Sequence, residues 1–344
     1  MNVFELTRAL VDIESITNHE APVGEYIFKY LSRVAVDTSG RVERCPVQGD
    51  RFNIFAQWGE PVVTLSTHMD TVPPFFASRE DDAHIWGRGS ADAKGILAAM
   101  IAAAEELLAG GVRNIGLLFV VGEERNSAGA YAAAKDPRGS RYIINGEPTE
   151  NKLAAATKGV LRYEVTATGK LAHSAYPELG ESAIDKLLDA LDSVRRMPLP
   201  SDPVLGPTTL NIGVISGGRA PNVVPDAASA EISIRLVDDP APIREAMQHA
   251  VGKLAEAREV LFTPVERFDA IDGLERTVVA FTTDVPSFDG AWGKPFVIGP
   301  GNIHVAHTSE ERVEKRELLD AVSIYQRMVR HLLAVESGAA AAQP

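Results

Sequence analysis

Three apolar runs that end in ionisable residues limit what this chain can fold into more than any other feature. "VVTLSTHMD" delivers His68 and Asp70, "IGLLFVVGEE" delivers Glu123 and Glu124, and "YIINGEP" delivers Glu147. Continuous apolar runs of this kind suit parallel strands covered on both faces. An unpaired ionised carboxylate at the end of a buried strand is costly, so these ends need cations, water or a helix terminus beside them. Between the first two runs, "KGILAAMIAAAEELLAGG" reads as a helix that stops at a glycine pair. The alternation predicts an α/β domain, doubly wound around a mostly parallel sheet. In such sheets ligands gather beyond the carboxyl ends of the strands, which is where these residues fall.

Two further residues belong to the same set. Asp92 in "GRGSADAKG" precedes the Ala-rich helix, and His307 follows "FVIGPGNIHVA". Five chain segments thus have the means to converge on one crevice. Imidazoles and carboxylates without thiolates suit zinc, cobalt or manganese better than a closed structural zinc site. Taken singly, each residue has a plainer role: His68 as a hydrogen-bonded core histidine, Asp92 as a helix cap, Glu123 and Glu124 at the positive end of the helix "SAGAYAAAK", Glu147 as a turn residue. Their joint placement at strand ends weighs against five separate accidents.

From about Gly159 the pattern changes. "GVLRYEVTATG" alternates like a half-exposed strand, "ESAIDKLLDALDSVRRM" is helical, "TTLNIGVISGG" and "ASAEISIRLVD" are strands, "APIREAMQHAVGKLAEA" is helical and "REVLFTPV" is a last strand. That βαββαβ order predicts a ferredoxin-like module over 159–266, inserted in a discontinuous domain of 1–158 and 267–344. The crossings near Lys158 and Phe268 are natural hinges. "FELTRALVDIESI" opens the chain and "KRELLDAVSIYQRMVRHLL" closes it as helices; the Ala-rich end after Val335 is expected to fray.

The 344 residues, 45% hydrophobic and 24% charged, are ample for two globular domains. A net charge of -13 with dispersed basic residues excludes the footprint of a nucleic-acid binder and favours small-molecule partners. No stretch reaches the length of a membrane span, and the first residues carry acids rather than a basic flank and apolar core, so a cytoplasmic protein with no membrane partner is expected. Cys45 is the only cysteine and reads as structural. The chain has no GxxxxGK[ST] phosphate loop, no GxGxxG after its first strand and no GxSxG nucleophile elbow.

From Val62 to Glu311, "HMDTVP", "GRGSADAKG", "GEE", "GEPT", "AHSAYPELGESAI", "NVVPD" and "GPGNIHVAHTSEE" occur in an order that resembles the di-zinc metallopeptidases and deacylases, the family of acetylornithine deacetylase, succinyl-diaminopimelate desuccinylase, aminoacylase and glutamate carboxypeptidase. The resemblance implies two divalent ions, zinc with cobalt or manganese as alternatives. It implies that Asp92 bridges them, with His68 and Glu147 on one and Glu124 and His307 on the other. Asp70 resembles the carboxylate that orients the His68 ring, and Glu123 the general base that takes a proton from a water held between the ions. The inserted module resembles a dimerisation or lid module, in which His173 reaches a neighbouring subunit's site and donates to the oxyanion. Asn222 and Arg235 resemble residues that hold a substrate carboxylate, with Lys158 assisting or marking a hinge.

His304 lies three residues before His307, so spacing alone leaves the ligand open; "AHTSEE" favours His307 and leaves His304 on the pocket wall. Ser182 stands where the family often has asparagine. The implied reaction is hydrolysis of the amide bond of an N-acyl amino acid by a homodimer. A dipeptidase or carboxypeptidase of the same family is the alternative, and a metal-dependent binding protein without turnover the more distant one. Glu147, rather than aspartate, resembles the deacylase and carboxypeptidase branches more than the tripeptidase branch.

Overall fold

The computed structural model describes residues 1–338; the end of the Ala-rich tail, 339–344, lies outside the described residues, and with it most of the expectation that this end frays. The chain opens with helices α1 (Val3–Val11) and α2 (Ala21–Thr38), then strands β1 (Arg41–Gln48), β2 (Arg51–Trp58) and β3 (Val63–His68). Helix α3 (Lys94–Ala109), strand β4 (Ile115–Val120), helix α4 (Ala128–Ala134) and strand β5 (Tyr142–Asn145) follow. Next come β6 (Gly159–Thr168), α5 (Ala183–Arg195), β7 (Thr209–Gly217), β8 (Ala227–Leu236), α6 (Ala241–Val251) and β9 (Glu256–Thr263). Strand β10 (Lys294–Val297) and helix α7 (Lys315–Glu336) complete the chain.

Two compact units emerge: Met1–Ala155 with Phe268–Thr277 and Thr283–Pro344, and Ala156–Arg267 with Val278–Thr282. The first holds a six-stranded sheet in the order β1-β2-β4-β3-β5-β10. Strands β4, β3, β5 and β10 run parallel, whereas β1 and β2 pair antiparallel at one side. Every residue of β3 and β4 is buried, which is why these strands read as unbroken apolar runs. The two faces of β4 divide at a period of two: Leu117 and Phe119 join the large core under α1, α2, α3 and α7, and Leu118 and Val120 join a smaller core with Ala130, Phe288 and Trp292.

Sequence reading did not anticipate α2, β1 or β2. Helix α2 has Pro22 in its first turn, a position that tolerates proline, so nothing in the strand-end pattern marked it. Strand β1 is an edge strand with alternating exposure and carries Pro46, which an edge accommodates, with a register shift between Pro46 and Gln48. Cys45 sits half-buried on it, and burial pushes its thiol pKa up, as for a packing residue.

In the second unit the antiparallel sheet runs β7-β8-β6-β9, the second, third, first and fourth strands of the βαββαβ order. Leu161, Tyr163 and Val165 of β6 and Ile232 and Ile234 of β8 form one core with Leu187 and Leu191 of α5 and Met247 of α6. Ser182 caps α5, its hydroxyl accepting the Asp185 N–H at 3.2 Å, so serine satisfies that helix start. Among the described residues no helix is long and apolar enough to cross a membrane.

Candidate metal centre

Because β3, β4, β5 and β10 are parallel, their carboxyl ends open at one edge of the sheet, and the first unit collects its ionisable residues there. His68 is the last residue of β3, Glu123 and Glu124 follow β4, Glu147 follows β5, and His307 follows β10. Asp92 comes from the segment before α3; the residue at the cap position is Ala93, with no side-chain cap, so Asp92 is not a helix cap.

Asp92 Oδ1 lies 3.0 Å from His68 Nε2, and its Oδ2 lies 3.4 Å from His307 Nε2. One carboxylate thus presents a different oxygen to each imidazole. His307 Nε2 is also 3.0 Å from the Glu124 carboxylate. Ligand atoms of His68, Asp92 and Glu124 all lie within 4.8 Å of one another. Glu147 is buried, and among the described residues its Oε1 has no hydrogen-bond partner. His304 is exposed, its Nδ1 2.9 Å from Asn302 Oδ1. His307 has φ +63°, an uncommon conformation for a residue with a side chain.

His68 Nδ1 lies 3.0 Å from the Asp70 carbonyl oxygen and 3.5 Å from its Oδ1. With Nδ1 donating to the carbonyl, Nε2 is the ring nitrogen that faces Asp92, and it would be the one offered to a metal once its proton is displaced. The Asp70 carboxylate has a larger task than the expected orientation of one ring. Its Oδ1 accepts the Gly122 and Glu123 N–H groups at 3.0 and 3.1 Å, and its Oδ2 accepts the Glu124 N–H at 3.2 Å and the Thr17 hydroxyl at 2.8 Å. This one buried side chain shapes the turn that carries both glutamates. Gly122 is required there: φ is +83°, and a Cβ would meet Arg51 Nη2 at 2.6 Å.

Carboxylates dominate the charge at this edge. Asp92, Glu123, Glu124 and Glu147 crowd together, while the buried cations nearby are committed elsewhere. Arg51 forks onto Glu20 at 2.9 and 2.6 Å, Arg88 pairs with Glu311 at 2.5 Å, and the Lys94 ammonium donates to the Ile13 carbonyl at 2.6 Å. Burial, then the charge of Glu147, holds the Glu123 pKa well above the ordinary carboxylate value; burial does the same for Glu147 and, less strongly, Glu124. Hydrogen bonds to Asp92 and Glu124 raise His307 to about 10. A set of acceptors this close, with an orphaned buried oxygen, fits two divalent cations: carboxylates and imidazoles are their ligands, and four positive charges offset the carboxylates. His68, Asp92 and Glu124, whose ligand atoms come together, and His307, whose ring faces both Asp92 and Glu124, are the residues placed to hold metal, with the buried Glu147 oxygen as a further donor.

Two buried acids here escaped sequence reading. Neither carboxyl oxygen of Asp284 has a hydrogen-bond partner among the described residues, and burial pushes it up to about 7. Glu311, fully buried, binds the segment that carries Asp92. Asp284 follows the short run "VVAFTT", a weak strand-end signal of the kind that exposed the others; Glu311 has no such signal.

The four remaining sequence candidates lie in the second unit. His173 is exposed and its Nδ1 accepts the Ala175 N–H at 3.1 Å, which leaves the neutral ring's proton on Nε2 as a donor. Asn222 is exposed, and its carbonyl accepts the Ser174 N–H at 3.1 Å. Arg235 is half-buried on β8, and burial lowers its pKa. Lys158 is buried with its ammonium donating to the Pro207 carbonyl at 2.6 Å, which gives it a structural bond within that unit.

Comparison with known proteins places this geometry. Residues 64–331 match Peptidase family M20/M25/M40. A probable carboxypeptidase of Aspergillus terreus is 37% identical over 94% of this chain and 84% of its own length. The fold is similar to aminopeptidase PepT from Bacillus cereus, with a TM-score of 0.79 at 21% identity over 96% of this chain and 98% of that one. It is also similar to the Bacillus subtilis YXEP protein, described as a dinuclear metal binding peptidase of the M20 family, with a TM-score of 0.71 at 15% identity over 97% and 98%. The chain belongs to Peptidase family M20/M25/M40 and is a metal-dependent hydrolase of amide bonds.

Proposed function

We propose that this protein cleaves the amide bond whose nitrogen belongs to an amino acid with a free carboxylate, the acyl side being either a small acyl group or a short peptide. The observation that carries the reading is the Asp92 carboxylate, aimed at His68 through one oxygen and at His307 through the other, with Glu123 on the turn beside it. His68, Asp92, Glu124, Glu147 and His307 would hold two divalent ions, zinc with cobalt or manganese as substitutes, which when bound would supply Lewis-acid polarisation of the amide carbonyl and a lowered pKa for the attacking water. Glu123 accepts the proton released as water adds to the carbonyl carbon and returns it to the leaving nitrogen, giving one carboxylic acid and one amine. A carboxyl held above its ordinary pKa by burial suits that exchange near neutral pH. Glu124 and Glu147, one residue and one strand away, serve as ligands rather than bases.

The relatives named probable carboxypeptidases favour a peptide as the acyl side; the resemblance to acetylornithine and succinyl-diaminopimelate deacylases keeps N-acyl amino acids beside it. On the same resemblance, the first unit is the catalytic domain and the second a dimerisation or lid module. Arg235 and Asn222 hold the substrate carboxylate with Lys158 assisting. His173 of the partner subunit donates to the oxyanion of a cytoplasmic homodimer. Sedimentation over a concentration series reads the last point: a species that stays monomeric removes His173 from any role across subunits.

The deciding experiment is hydrolysis of N-acetyl amino acids, N-succinyl amino acids and dipeptides by metal-stripped protein, with and without zinc, Glu123→Ala beside wild type. Zinc-dependent turnover lost in the variant supports the reading, and the best substrate identifies the acyl side. Two ions bound per chain with no turnover on any substrate would favour a binding protein instead.

A further inference from the structure

We infer that Glu311 is a positioning residue for the metal centre, one that ties the segment carrying Asp92 to the segment carrying His307. The inference rests on the two-ion reading above and concerns a residue that touches neither imidazole. Glu311 lies four residues after His307 and is fully buried. Its Oε1 accepts three N–H groups of a single loop, those of Gly89 at 2.9 Å, Ala91 at 3.3 Å and Asp92 at 3.2 Å. Its Oε2 takes Arg88 Nη1 at 2.5 Å, and its main-chain carbonyl accepts the Gly87 N–H at 3.1 Å. Arg88 is in turn anchored by donation from Nε to the Pro74 carbonyl at 3.2 Å, with its guanidinium 5.0 Å from the centroid of the Phe76 ring. Residues 88–92 are therefore wrapped around one carboxylate, with Gly87 held by the main chain of the same residue.

The consequence for the site follows from Asp92. Its oxygens face His68 and His307 at 3.0 and 3.4 Å, so a small rotation of its backbone detaches one imidazole or the other from the shared carboxylate. The Asp92 N–H bond to Glu311 opposes that rotation. Glu311 is four residues along the chain from His307 while its side chain holds the Asp92 N–H, so one buried residue links the segments of the shared carboxylate and of one of its imidazoles. Arg88 neutralises Glu311 and leaves Asp92 as the acid that faces the ions.

The test is metal binding to stripped protein, read by competition with a chelator and by the visible absorption of bound cobalt. In Glu311→Gln the amide oxygen keeps one acceptor, but the NH2 group meets a second donor, either Arg88 or the loop. Affinity for cobalt and zinc is expected to fall by roughly 10- to 100-fold, as when partners of metal ligands are altered, with a changed cobalt spectrum. Leu332→Ala, a core truncation in α7, serves as a control for general destabilisation; it should lower the melting temperature and leave affinity and spectrum unchanged. If Glu311→Gln fails to fold, the double variant Arg88→Met/Glu311→Leu removes the buried pair together and carries the same readout. Wild-type affinity and spectrum in the folded variant, or an equal loss in Leu332→Ala, would overturn the inference. A wild type that takes up no ions would instead overturn the two-ion reading on which it rests.

Discussion

At the level of single residues, the site is built by carboxylates that differ in what they accept. Asp70 accepts N–H groups from three consecutive residues, Asp92 faces two imidazoles, and Glu147 keeps an oxygen with no partner among the described residues. Replacing Asp70 by Asn turns one acceptor oxygen into a donor against the backbone of Gly122 to Glu124, so the turn that carries Glu123 loses its register. We predict that Asp70→Asn lowers kcat by roughly 10- to 100-fold at saturating zinc, with KM little changed, since the loss falls on the reacting geometry rather than on substrate binding. Steady-state kinetics on the best substrate of the panel decides it; unchanged kcat would return Asp70 to the lesser role of steadying one ring. His68, Glu123, Glu124, Glu147 and Asp92 were legible because ionisable residues at the ends of apolar strands and beside a buried helix are anomalous in sequence. Asp284 was not, because the run before it is too short to stand out as a core strand, nor was Glu311, whose burial comes from tertiary packing and whose own segment carries no apolar periodicity.

At the level of elements, the strands that run both faces buried were legible and the half-exposed edge was not. Strands β3, β4 and β5 lack alternation because both faces pack, whereas β1 alternates weakly, contains Pro46 and was passed over. One close approach between elements is sharp enough to test. Helix α4 starts against the end of β4, and a Cβ added at Gly129 would lie 2.5 Å from both Asn53 Oδ1 and Val121 N and 2.6 Å from Val121 O. The backbone atoms cannot swing aside as a side chain can. Asn53 also bonds both partners, donating to the Gly129 carbonyl at 2.8 Å and accepting the Val121 N–H at 3.2 Å. Gly129→Ala therefore forces α4 away from β4 and is expected to cost about 1–3 kcal/mol, the usual range for overpacking. Urea denaturation of the stripped protein measures it, and a midpoint equal to that of wild type would show that the junction yields without cost.

For the whole molecule, the site makes stability depend on metal and pH together. Without metal, burial raises the pKa of Glu123 and Glu147 and holds Asp284 at about 7, while hydrogen bonds raise His307 to about 10. Each of these groups binds its proton more tightly folded than unfolded. Stability therefore falls as pH rises: for the carboxyls from about 4.5 through their raised folded values, and for His307 from about 6.5 towards about 10. Asp92 is shifted the other way, by His307 and His68, but its contribution is lost only in acid, below the usual aspartate range. Between about pH 5.5 and about pH 8, then, the stripped protein should melt at progressively lower temperature. Zinc replaces the protons and should remove most of that slope, and its own affinity increases as proton competition fades. At a thousandfold excess over its dissociation constant, a single ion would stabilise the fold by about 4 kcal/mol. We predict that the melting temperature gained on adding zinc widens steadily across this pH range. Scanning calorimetry of stripped and zinc-loaded protein measures the gap. A gap that stays constant or narrows with rising pH would mean that the crowded carboxylates are relieved by something other than the metal.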